Sequence, residues 1–405
     1  MTRLPAARFA IAPMNPVMNQ DATNEALAPQ SPTAGPAPGE RNHFHLLDAL
    51  RGVAILLVIG HHVAIKFPGI GGGFVAHFFK TAGWAGVDLF FAISGFLITG
   101  ILFRTRDVDG IKGFFIKRLY RIVPLYVVAV VAYVVLSVAT HHDVALLHRI
   151  WVNLGFLTAW LIPVFGREGV PYDITWSVSV EESAYVVLGL FCLANLRHEA
   201  RLRPFLLCLI VTALAVRCIV VTMQAFDPLL LYFFVPARLD SIAFGGLIAL
   251  GAGAWLTARP LAKPLAIALV LACLLGFSAF TRHSMWVQSV GYTVFGICAA
   301  LLVGALARYR GPLHNPLLRG LAGIGRISYF VYLFHMFLVG LLMTHAFAIV
   351  PRSLGYWGMF ALITLLTCGV GALSWRWFEK PLIDRGRAIA DHSVRRPGSV
   401  PLAAD

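Results

Sequence analysis

Residues 46–66 read LLDALRGVAILLVIGHHVAIK. An apolar run of this length is enough to cross a bilayer as an α-helix, which needs about 20 residues. Yet it carries Asp48 and Arg51 at one end and His61 and His62 at the other. Arg51 and His62 are separated by eleven helical steps, roughly 16 Å along the axis, and return to within about 20° of one face. Asp48 shares that stripe. Ionisable groups on one face of an apolar helix are costly in lipid, so they point by default to an internal cavity.

The rest of the 405-residue chain is of the same kind. Hydrophobic residues make up 59% and charged residues only 13%, about half the charged share of a soluble domain; mean hydropathy is +0.77. The fold class expected is all-α, a polytopic integral membrane protein. The formal charge of +14 comes from basic residues in short loops between apolar runs. That is a positive-inside pattern and argues against nucleic acid as a partner. The six cysteines, all in or beside apolar runs, have no CxxC spacing, so neither disulfides nor a metal site is expected.

Ten segments are expected to span: 46–66, 86–103, 122–139, 176–195, 205–223, 231–251, 262–280, 286–307, 324–344 and 355–375. Loop charges support the count. Arg104, Arg106, Lys112, Lys117, Arg118 and Arg121 follow the second segment, and Arg197, Arg201 and Arg203 follow the fourth. Arg259 and Lys263 follow the sixth, Arg308, Arg310, Arg319 and Arg326 the eighth, and Arg376, Lys380, Arg385 and Arg387 the tenth. Loops after odd-numbered segments hold far fewer. Both termini are therefore expected in the cytosol. Residues 150–165 are apolar but broken by Gly155 and Pro163, and read as an interfacial or re-entrant piece. The Ala/Pro-rich stretch 1–43 reads as a disordered cytoplasmic tail, 44–383 as the membrane domain and 384–405 as a basic tail.

This topology assigns depths. His62, Asp88, Glu181 and Glu182 fall towards the outer side, and Arg51, Lys117, Arg118 and Arg121 towards the cytosol. Ser94, Arg238, Asp240, Tyr332 and His335 are further polar residues inside or beside the segments. A histidine beside carboxylates suits general-base chemistry. Clustered arginines suit phosphate oxygens. Plainer readings stand beside these. Residues 117–121 also satisfy the positive-inside pattern, Glu181 and Glu182 suit a helix N-terminus, and Asp88, Arg238 and Asp240 suit structural ion pairs. A proton-coupled transporter is the alternative class, although no internal repeat or paired broken helices are visible.

Seven motifs occur in one order along residues 44–383: LDALRGVAILLVIGHH, GVDLFFAISGFLIT, FFIKRLYRIVPLY, WSVSVEESAY, RLDSIAFGG, ISYFVYLFH and WFEKP. In this the chain resembles membrane acyltransferase family 3, which includes bacterial O-antigen and exopolysaccharide O-acetylases. The resemblance implies transfer of an acyl group, often acetyl from acetyl-CoA, to a glycan hydroxyl by a multi-pass protein of the bacterial cytoplasmic (inner) membrane. It implies no tightly bound cofactor, with acyl-CoA as donor substrate. Arg51 and His62 match the first-helix signature, with His62 in the catalytic position. Lys117, Arg118 and Arg121 match the basic motif associated with the donor, although Leu119 stands where a third basic residue is usual. Glu181 and Glu182 match the paired acids, with Ser183 where glutamine is common. Asp88 and Ser94 match the second motif, and Tyr332 and His335 the motif near the end. Some relatives carry an additional hydrolase-like domain; this chain is expected to be the stand-alone form.

Overall fold

The computed structural model describes residues 44–394, apart from 106, 142–143, 197, 224–226, 281–283 and 344–353. The tail expected over 1–43 and the end of the basic tail lie outside those residues. The described elements are helical, without strands, as an apolar chain must be when each span satisfies its own backbone in lipid.

Helix α1 is His45–Lys66. Helix α2, Gly73–Ala82, leads through one 3-10 turn into α3, Gly86–Arg104. Helix α4, Val108–His141, is 34 residues long, about 51 Å at the α-helical rise and well beyond the ~30 Å hydrocarbon thickness. It therefore carries Lys117, Arg118 and Arg121 on a helix, where a loop was expected, and continues through Pro124. The short helices α5, Ile150–Leu154, and α6, Thr158–Phe165, break at Gly155. Neither is long enough to span, in keeping with an interfacial or re-entrant piece.

Helix α7 is Trp176–Ala194, α8 Leu202–Met223 and α9 Leu239–Ala249. After α10, Ala254–Thr257, come α11, Ala262–Ala279, and α12, Tyr292–Ala307. Helices α13, Pro316–Arg326, and α14, Ser328–Leu341, meet at a bend of 75°. Helix α15 is Gly355–Ser374 and α16 is Lys380–Val394.

Among the described residues, eight helices are long and apolar enough to span, or nine if α13 and α14 count as one. Two of the ten expected segments depart from simple spans. The sixth is α-helical only from Leu239, in a helix of 11 residues. Pro236, which lacks an amide proton, sits in a 3-10 turn just before it. The ninth is broken at Ile327. Asn315 caps α13, accepting from the amides of Leu317 (2.8 Å) and Leu318 (3.3 Å), so α13 begins as a helix of its own. The tenth runs on past residue 384 as α16, whose Gly386 packs against Tyr120 of α4.

Glycines set the closest approaches, as small residues do between membrane helices. A methyl on Gly95 of α3 would lie 1.9 Å from the Ile242 carbonyl oxygen of α9, and one on Gly245 of α9 would lie 2.1 Å from that of Ala92. Helices α3 and α9 thus touch backbone to backbone, which brings Asp88 and Arg238 together.

Candidate functional site

Asp88 and Arg238 are both fully buried. One guanidinium nitrogen of Arg238 donates to both carboxylate oxygens of Asp88, at 2.7 and 2.8 Å, and Ser241 Oγ donates to the same carboxylate at 2.9 Å. Arg238 also lies over the rings of Tyr292 (4.3 Å) and Tyr232 (4.9 Å). Asp240 accepts from Arg217 at 2.7 Å and Thr293 at 2.8 Å. Arg217, inside the fifth apolar segment, also donates to the carbonyls of Ser289 (3.0 Å) and Ala237. Two ion pairs and the Thr293 hydrogen bond therefore tie α3, α8, α9 and α12 together. Asp88, expected beside His62, is committed to Arg238. The plainer reading of Asp88, Arg238 and Asp240 as structural ion pairs describes their geometry.

A cavity of about 750 Å³, its open mouth included, lies among α1, α3, α4, α7, α13 and α14. Four arginines line it: Arg51, Arg118, Arg121 and Arg326. Arg51 reaches Asp48 at 3.3 Å. The others have no ion-pair partner among the described residues; Arg118 stacks on Tyr185 at 4.3 Å. Glu181 also lines the cavity, accepting from Ser94 and Tyr185 at 2.9 Å each. It was expected near His62, but it faces the arginines. Glu182 is not among the lining residues, and its Oε1 is buried without a hydrogen-bond partner among the described residues.

Lys117 is not in the cavity. It is exposed and pairs with Asp391 of α16 at 2.9 Å. On the helical wheel Arg121 falls between Lys117 and Arg118, so Lys117 takes the edge nearer α16.

The cavity reaches Ser177 and Tyr332. Tyr332 accepts from Ser177 Oγ at 2.6 Å and donates to the Ile174 carbonyl at 2.9 Å. One helical turn further along α14 is His335, fully buried. Its Nδ1 faces the carbonyls of Tyr332 (2.8 Å) and Val331 (3.0 Å). Carbonyl oxygens only accept, so His335 carries its proton on Nδ1 and presents a lone pair at Nε2. That lone pair lies 3.2 Å from Nδ1 of His62, which also faces the Val58 carbonyl at 2.9 Å. By the same rule His62 is protonated on Nδ1. Its Nε2 is left as a lone pair with no hydrogen-bond partner among the described residues, the form a general base requires.

The partner of His62 is thus a histidine; no carboxylate hydrogen-bonds to it among the described residues. His61 is buried, with Nδ1 3.2 Å from the Phe79 carbonyl. Sequence reasoning passed over Arg217, Ser177 and Tyr185 and counted Arg326 only as a loop charge. Arg217 carried a usable signal, being an arginine inside an apolar run. Ser177 and Tyr185 lie four residues on either side of Glu181, the helical spacing of one face.

The sequence model of a family described as "Acyltransferase domain" matches residues 44–376. The chain belongs to that family. Among curated relatives, OatA of Staphylococcus aureus, an O-acetyltransferase, is 23% identical over 84% of this chain. The peptidoglycan O-acetyltransferase OatA of Listeria monocytogenes is 25% identical over 85%. YrhL of Bacillus subtilis, named for peptidoglycan O-acetyl transfer, is 27% identical over 84%. The chain spans little more than half the length of these relatives, 55% to 57%. No solved structure matches the chain.

Proposed function

We propose that this chain is a membrane O-acyltransferase that moves an acyl group, acetyl by the analogy of its relatives, from cytosolic acyl-CoA to a hydroxyl of a cell-envelope glycan. The observation that carries the reading is the convergence of Arg51, Arg118, Arg121 and Arg326 on one cavity. Arg118, Arg121 and Arg326 have no carboxylate partner among the described residues; such guanidinium groups favour a ligand that brings its own negative charge, and phosphate oxygens meet them with paired hydrogen bonds. The phosphates of acyl-CoA would occupy this basic end, and the positive-inside pattern supports a cytosolic opening there.

The thioester would lie beyond Ser177 and Tyr332, close to His62. His62 Nε2 takes the proton from the acceptor hydroxyl as its oxygen attacks the thioester carbonyl. The carbon–sulfur bond breaks, and the proton passes from His62 to the departing thiolate, leaving an ester and CoA. As His62 gains charge, its Nδ1–H donates more strongly to His335 Nε2, so His335 positions and stabilises the imidazolium. The relatives' names support peptidoglycan or a similar glycan as acceptor class.

Purified protein in liposomes, given acetyl-CoA and a soluble peptidoglycan fragment, is expected to release CoA and yield acetylated glycan by mass spectrometry. A proton-coupled transporter would produce neither.

A further inference from the structure

Behind α1, away from the arginine cavity, lies a recess of opposite chemistry. It measures about 780 Å³ with its mouth included, and its lining carries no polar side chain. Leu46, Leu50 and Leu57 of α1 form one wall, with Leu271 of α11, Leu306 of α12 and Leu318 of α13 around it. From Leu46 to Leu57 the wall runs eleven residues, ~16 Å along the helix. That is about half the ~30 Å hydrocarbon thickness, the depth occupied by the acyl chains of one leaflet. No polar side chain is present to hold water there, and hydrocarbon is the chemistry that fits.

Three basic residues lie close in sequence to residues that line or adjoin the recess. Arg310 lies 3.7 Å over the ring of Phe44, the residue before α1. Lys263, one turn before the lining residue Ile267, sits 5.5 Å from the centre of the Tyr309 ring. Arg319, exposed, follows the lining residue Leu318 on α13. Partial burial and repulsion from Arg104 lower the pKa of Arg310. Among the described residues none of Lys263, Arg310 and Arg319 has an ion-pair partner.

We propose that this recess and its basic rim bind an anionic glycerophospholipid, with one acyl chain in the recess and the phosphate on Lys263, Arg310 and Arg319. Zwitterionic lipid could fill the same recess, but it offers no net charge to the rim. The lipid would brace α1 from behind, on the helix whose other face carries Arg51 and His62. The inference does not depend on the reaction those residues perform.

The test is native mass spectrometry of protein reconstituted in nanodiscs of equal phosphatidylglycerol and phosphatidylcholine. Wild-type protein is expected to retain phosphatidylglycerol with severalfold enrichment over phosphatidylcholine. Leu271→Trp, a substitution at a half-exposed position that fills the recess, should remove the retained lipid. The triple variant Lys263→Gln, Arg310→Gln, Arg319→Gln changes the first turn of α11 and two positions outside the long spans, and should abolish the headgroup preference, at about fivefold per charge. Equal retention of the two lipids by wild type would overturn the proposal. So would undiminished phosphatidylglycerol in Leu271→Trp, or an unchanged preference in the triple variant.

Discussion

His335 Nε2 lies 3.2 Å from His62 Nδ1, and both Nδ1 atoms also face backbone carbonyls of their own helices. The arrangement fixes both tautomers and leaves a lone pair on His62 Nε2. It substitutes an imidazole for the carboxylate that often orients a catalytic histidine.

Replacing His335 with Phe keeps a ring in place and removes the acceptor. The expected result is a fall in kcat of ~10-fold or more with little change in KM for the acyl donor, since the lost bond matters most when His62 is charged. His335→Gln, which can accept a hydrogen bond, should recover part of the loss. Steady-state kinetics on the two variants check this; a purely structural role would lower the folded yield of both and move kcat in neither.

Arg118 and Lys117 are neighbours in sequence but not in surroundings. Arg118→Ala removes a charged contact worth ~1.5–3 kcal/mol, so KM for acyl-CoA should rise by at least ~10-fold. Lys117→Ala breaks only an exposed pair with Asp391 and should change KM less than about fivefold. Measuring both under one assay separates donor binding from general positive charge.

The pairs Asp88–Arg238 and Asp240–Arg217 are sealed from solvent. Asp88→Ala would strand a buried guanidinium and is expected to cost ~3–5 kcal/mol. Asp88→Ala with Arg238→Met should lose less than Asp88→Ala alone, because no charge is left unpaired. Thermal unfolding in detergent, followed by tryptophan fluorescence, provides the comparison.

Tyr332 and Ser177 line the arginine cavity and are joined by a 2.6 Å hydrogen bond. Tyr332→Phe removes the acceptor of that bond and the donor to Ile174, each worth ~1 kcal/mol net. A looser wall should admit water to the thioester, so CoA release without glycan acceptor should rise relative to wild type. An unchanged acceptor-independent rate would assign Tyr332 to packing alone.

Much of this organisation is readable from helical periodicity. Arg51 and His62 share a face of one helix, and one helix needs no knowledge of its neighbours. The all-α class follows from apolar run length for the same reason. The allocation of acids among basic partners was not readable, because it depends on which helices pack together. Asp88 goes to Arg238 because glycines let α3 and α9 touch, while Glu181 turns to the arginine cavity through Ser94 and Tyr185. The short α9 and the bend at Ile327 also escaped a reading by hydropathy, which registers apolar content but not where the backbone breaks. Arg217 was within reach of the argument applied to α1.

The central claim is that His62 is the base of an acyl transfer fed by acyl-CoA. The most direct measurement compares wild type with His62→Ala in liposomes, reading acetyl-CoA-dependent CoA release and glycan acetylation at matched protein levels. The account predicts that His62→Ala loses both by ~10²-fold or more, while the donor still protects the variant against thermal unfolding. Near-normal glycan acetylation by His62→Ala would contradict it.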